Sequence, residues 1–85
     1  MTDTPDTPSP ATLRFDRAMT AISQTESAIC RRAKWGRTPV HVFTQNDADR
    51  QMIFVIMGES GALFFYDPTP DDILSSDWQV ISLLH

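Results

Sequence analysis

The segment "CRRAKWGR" gathers Arg31, Arg32, Lys34 and Arg37 around Trp35. These are four of only seven basic residues in a chain that carries eleven acidic ones. An indole can stack on a purine, and guanidinium groups can grip phosphate bidentately. The cluster therefore reads either as a small anion site or as a solvated basic turn beside a core tryptophan. A second cluster, "YDPTPDDILSSDW", places Tyr66, Asp72 and Trp78 within thirteen positions. Those residues read as a second aromatic wall, with a carboxylate that accepts from a base amino group or a ribose hydroxyl. They read equally well as a buried tyrosine, a helix-capping aspartate and a core tryptophan. The residues alone leave both readings open.

Catalytic chemistry has less support. The chain has two histidines, of which His85 is the last residue, and His41 has no Cys, Asp or Glu near it in sequence. No nucleophile–base pair, Gly-rich phosphate loop or metal-ligand spacing stands out. The expectation is a protein that is not an enzyme, with no metal and no cofactor.

The elements that must position these residues follow from periodicity. Phe15, Ala18, Met19 and Ile22 form one apolar stripe, which predicts an amphipathic helix over Thr12–Gln24. Extended segments are expected at Ser27–Lys34, Val40–Thr44, Met52–Met57, Ala62–Tyr66 and Trp78–Leu84. The "GESG" turn makes the third and fourth of these a hairpin. Thr69, Pro70 and Asp72 spell a capping box with proline at the first helical position, so a short helix should precede the last strand. The fold class is α+β, one helix packed on an antiparallel sheet of about five strands.

At 85 residues the chain is one domain at most. Residues 1–11 are read as a disordered acidic Pro/Thr tail and residues 12–85 as a single ligand-binding domain. Asp3 and Asp6 in that tail supply half of the net charge of −4. Such a charge argues against binding a nucleic-acid polymer, which needs a broad basic surface. It leaves room for a small anion in a local basic pocket. Cys30 is the only cysteine, so no intrachain disulfide can form, and a reducing cytosol fits best. No secretory signal is visible, and no apolar run approaches the roughly 20 residues of a membrane span.

Taken together, these motifs resemble the small phage-encoded Thoeris anti-defence proteins of the second type. The resemblance rests on Phe15 and Ala18, then Arg32 and Trp35, then the closing "YDPTPDDILSSDWQVI", and spans residues 13–82. It implies a cytoplasmic sponge in the bacterial host, a homotetramer built as a dimer of dimers. Such a sponge binds a cyclic nucleotide signal, glyco-cyclic ADP-ribose or a cyclic dinucleotide, without degrading it. It further implies that Trp35, Tyr66, Asp72 and Arg32 line the ligand pocket, with Arg31 as an alternative cation and Trp78 as a core or pocket residue. The chain departs from the family pattern at Tyr66, where an indole is usual, and between the helix and Arg32, where it is longer. Two other expectations compete: an adaptor or inhibitor that binds an acidic partner protein, and an enzyme that degrades the signal.

Overall fold

A computed structural model describes residues 12–82. The acidic tail at 1–11, the end of the expected last strand at 83–84, and His85 lie outside the described residues.

The helix α1 spans Phe15–Gln24 and buries Ala18, Met19 and Ile22, the centre of the expected stripe. It begins three residues later than the periodicity suggested. Thr12–Leu13 instead forms a short strand, β1, in register with Gln79 and Trp78. Among the described residues the sheet therefore has six strands, not the expected five or so. The reason is local competition. Arg14, the residue before α1, supplies no side-chain cap, while pairing in the sheet satisfies backbone groups ahead of it and turns Leu13 toward the core.

The remaining elements are β2 (Ala28–Arg32), a single 3₁₀ turn (Ala33–Trp35), β3 (His41–Asn46), β4 (Met52–Met57), β5 (Leu63–Phe65), α2 (Pro70–Leu74) and β6 (Trp78–Ser82). All strand pairs are antiparallel, in the order β1-β6-β2-β3-β4-β5. The β3–β4 connection closes on Asp47, whose Oδ1 accepts from the backbone N–H of Asp49 and of Gln51 at 2.9 Å each. The β4–β5 turn closes through the Gly61 N–H donating to the Gly58 carbonyl, with Gly61 at φ 88°. That left-handed conformation suits glycine and few other residues.

Strand alternation sorts the sheet into two faces. Beneath α1 lie Ala28, Cys30, Val42, Phe54, Ile56, Trp78 and Val80, which with the helix make the core. Trp78 is fully buried, with Phe15, Trp35 and Tyr66 ringing it at centroid distances of 5.7, 5.4 and 6.3 Å. These edge-on contacts suit the ring quadrupoles. Cys30 is buried in the same core, and burial pushes its thiol up to about 12, so it is an inert packing residue. The opposite face carries Ile29, Phe43, Ile53, Val55, Met57 and Leu63 by the same alternation, and no helix among the described residues covers it. Among the described residues no helix is long and apolar enough to cross a membrane.

Candidate functional site

Arg32 ends β2 on the face that holds Ala28 and Cys30, where apolar side chains are the rule. Only 5% of it is exposed. Its Nε donates to Asp77 Oδ1 at 2.8 Å, and its Nη1 donates to Asp71 Oδ2 at 2.7 Å and to Asp72 Oδ1 at 3.2 Å. Burial disfavours the charged guanidinium, but these hydrogen bonds to Asp77, Asp71 and Asp72 outweigh it and raise the pKa. The carboxylates respond in the opposite sense. Asp71 is drawn down to about 2 by its hydrogen bonds from Arg32 and from Lys34 Nζ, the latter at 2.8 Å. Partial burial raises the Asp77 carboxyl, yet the Arg32 hydrogen bond prevails and holds it below its ordinary value. Asp77 also fixes the 3₁₀ turn, accepting from the backbone N–H of Lys34 at 3.0 Å through Oδ2 and from that of Ala33 at 2.9 Å through its carbonyl.

Asp72 is the second hub. Thr69 caps α2 as expected: the Asp72 N–H donates to Thr69 Oγ1 at 3.1 Å, and the Thr69 N–H donates to Asp72 Oδ2 at 3.2 Å. The same Oδ2 accepts from the Tyr66 hydroxyl at 3.0 Å. The Asp72 carbonyl accepts from Trp78 Nε1, also at 3.0 Å. Burial first, and then the bond to the Asp72 carboxylate, push the Tyr66 phenol upward. Arg32, from the end of β2, thus meets Tyr66, Asp72 and Trp78 of the closing segment in one hydrogen-bonded unit. Trp78 is its core, and its indole has no exposed surface in the single chain.

Trp35 stands at the edge of this unit. It is half-buried, with its ring edge-on to Trp78 at an interplanar angle of 80°. The loop that follows reverses at Gly36, φ 62°. Arg31, on the opposite sheet face from Arg32, reaches back to hold that loop. Its Nη1 donates to the Thr38 carbonyl at 2.8 Å and its Nη2 donates to the Gly36 carbonyl. Thr38 Oγ1 closes the turn by donating to the Trp35 carbonyl at 3.0 Å. Between these anchors Arg37 is exposed, and it takes part in no ion pair among the described residues.

The basic cluster therefore divides. Arg32 is consumed by carboxylates, Arg31 by backbone carbonyls and Lys34 by Asp71, which leaves Arg37 as its unpaired cation. Sequence reasoning missed Asp71 and Asp77 as partners of Arg32. The available signal was the excess of aspartate in "DDILSSD", which a helix start accounts for only in part. Two surface clefts, of about 380 Å³ at the C-terminal end of α1 and about 510 Å³ between α1 and α2, are not lined by Trp35, Tyr66 or Asp72. In a single chain the partly exposed rings of Trp35 and Tyr66 lie over a hydrogen-bonded polar unit. It can offer a ring face, a cation and a hydroxyl to a planar anionic molecule. Among the described residues no group of three or more His, Cys, Asp or Glu could hold a metal ion.

A comparison with curated proteins returns no match. The model of one family does match, over residues 13–81, from Leu13 in β1 to Ile81 in β6. By that match the chain belongs to the Tad2-like family, the Thoeris anti-defense 2-like domain.

Proposed function

We propose that this chain is a phage anti-defence sponge. It binds a cyclic nucleotide immune signal of the glyco-cyclic ADP-ribose type, or a cyclic dinucleotide, in the bacterial host cytoplasm and withholds it from the host's effector without degrading it. The anti-defence part follows from the family. The ligand part is carried by the loop at 31–38, where a half-buried Trp35 and an unpaired Arg37 are held by Arg31 over the Trp78 unit. In this reading Trp35 stacks on the base. Tyr66 and Asp72 read a polar edge, and Arg31, Arg32 and Trp78 hold the site in shape. A sequestering protein needs only such faces and readers. It must also bind well: a micromolar signal calls for a nanomolar dissociation constant, about −12 kcal/mol. The partly exposed Trp35 and Tyr66 of one chain suit a pocket closed by a second subunit in a homo-oligomer.

The test is calorimetric titration with glyco-cyclic ADP-ribose isomers, cyclic dinucleotides and cyclic trinucleotides, followed by heat release of the ligand. Nanomolar binding of one compound, recovered intact, is the expected result. A recovered fragment would indicate turnover. No binding across the panel would overturn the ligand reading and favour an acidic partner protein for Lys34 and Arg37.

A further inference from the structure

The sheet face beneath α1 changes character where the helix stops. By strand alternation Thr44 and Asn46 share the face of buried Val42, and their partners on β4 are Phe54 and Met52. Under the helix this face is apolar; past Gln24, the last residue of α1, it turns polar. The cleft of about 380 Å³ opens there. The sheet supplies Thr44, Asn46 and Met52 to it, and the helix with its exit turn supplies Ile22, Gln24 and Glu26.

The electrostatics of this cleft have one sign. The last turn of α1 holds no basic residue, so its free carbonyls leave partial negative charge at the mouth. Glu26, two residues past the helix, adds a full negative charge beside them. A lysine or arginine would suit that position, and a glutamate opposes the helix dipole. No residue lining the cleft is basic. The side chains of Gln24, Thr25, Glu26, Thr44, Gln45 and Asn46 form no hydrogen bond or ion pair among the described residues. The Arg32 unit is the reverse case, since its cations and carboxylates answer one another within the chain. The cleft thus gathers acceptors that the fold leaves unused, beside an apolar strip of Ile22 and half-exposed Met52.

We propose that this cleft binds a small organic ammonium, a primary diamine. One ammonium meets Glu26 and the carbonyl end of α1. The second donates to the hydroxyl of Thr44 and the amide oxygens of Gln45 and Asn46, and the methylene stem lies along Met52 and Ile22. An ammonium carries three donors and no acceptor, which matches an acceptor-rich wall without cations. The volume falls in the range of small-molecule sites. A phosphorylated ligand is repelled here, so the site is distinct in chemistry and place from the surface at Trp35 and Arg37. The proposal does not depend on the sponge reading.

The experiment is amide NMR titration of the isotope-labelled chain with the diamine putrescine. Butanediol serves as the neutral counterpart, and sodium chloride is added at matched ionic strength as the salt control. Putrescine should give saturable shifts at both walls, residues 22–27 and 44–46, and the two controls should not. Glu26→Lys should abolish them, and the fold should survive because a basic residue past the end of α1 favours the helix. Glu26→Gln keeps the shape and should weaken binding about threefold, the scale of an exposed charge contact. Absence of saturable shifts overturns the proposal. So do equal shifts with butanediol or salt, shifts confined to 25–27, which would mean ion pairing with a surface carboxylate alone, or wild-type affinity in Glu26→Lys. Should Glu26→Lys not fold, Glu26→Gln decides: unchanged affinity there overturns the proposal as well.

Discussion

Arg32 Nη1 lies 3.2 Å from Asp72 Oδ1 and joins the end of β2 to the first turn of α2 across 40 residues of sequence. The contact is buried on both sides: the side chains are 6% and 11% exposed. Through it, Arg32, a residue of the proposed ligand site, is also a keystone of the monomer. The predictions below separate those two roles.

Arg32→Ala should destabilise the chain by about 3–5 kcal/mol, since Asp72 and Asp77 lose their buried partner. Arg32→Lys should recover little of this, because an ammonium cannot reproduce the Nε and Nη1 directions together. Urea denaturation of the two variants checks this. Wild-type stability in Arg32→Ala would mean that the guanidinium does not hold β2 to α2.

Tyr66→Phe removes one hydroxyl donor to Asp72 Oδ2, while the Thr69 N–H and the Arg32 contact remain. The expected loss is about 1.5 kcal/mol, the low end for a bond to a charged acceptor. The sponge reading adds a second expectation, weaker ligand affinity. Calorimetry and denaturation on the same variant separate the two roles. A stability loss with unchanged affinity confines Tyr66 to the fold.

Trp35→Ala should abolish ligand binding and leave the chain folded. The indole is partly exposed and Trp78 keeps its Phe15 and Tyr66 contacts, so the expected stability cost is about 1.5–3 kcal/mol. Circular dichroism reports the fold and titration reports the site. Full affinity in a folded Trp35→Ala protein removes Trp35 from the pocket.

Stability should fall on acidification in a defined window. Asp71 sits at about 2, and Asp77 is also lowered, against an unfolded carboxylate near about 3.9. Because the folded values are the lower ones, the unfolded chain takes up protons first as pH drops. The contribution of these two carboxylates is complete above about pH 4 and is lost as pH falls toward 2. The urea midpoint measured at pH 6, 4 and 2.5 should follow that course. Asp71→Asn should start lower at pH 6 and decline less steeply. Equal slopes for the two proteins would assign the acid sensitivity elsewhere.

Local rules determined much of this protein. The stripe from Phe15 to Ile22 made a helix because its spacing matches the helical period. The Thr69–Asp72 box made the start of α2 because its partners are three residues apart. Met52–Met57 and the glycines at 58 and 61 made a hairpin for equally local reasons. Trp35, Tyr66, Asp72 and Trp78 could be singled out by type, and the closing motif carried the family. Tertiary structure decided the rest, where the outcome depends on partners far apart in the chain. Thr12–Leu13 joined the sheet and not the helix because β6 lies beside it, which no local signal in those residues encodes. Of the clustered cations, Arg32 was buried by aspartates some 40 residues away and Arg31 was turned onto loop carbonyls. Charge type is written in the sequence, but which charge stays free is set by the three-dimensional supply of acceptors. The free edge of β5 has the same origin: a strand pattern shows that residues pair, and only the assembled sheet shows which strand is left last in the row.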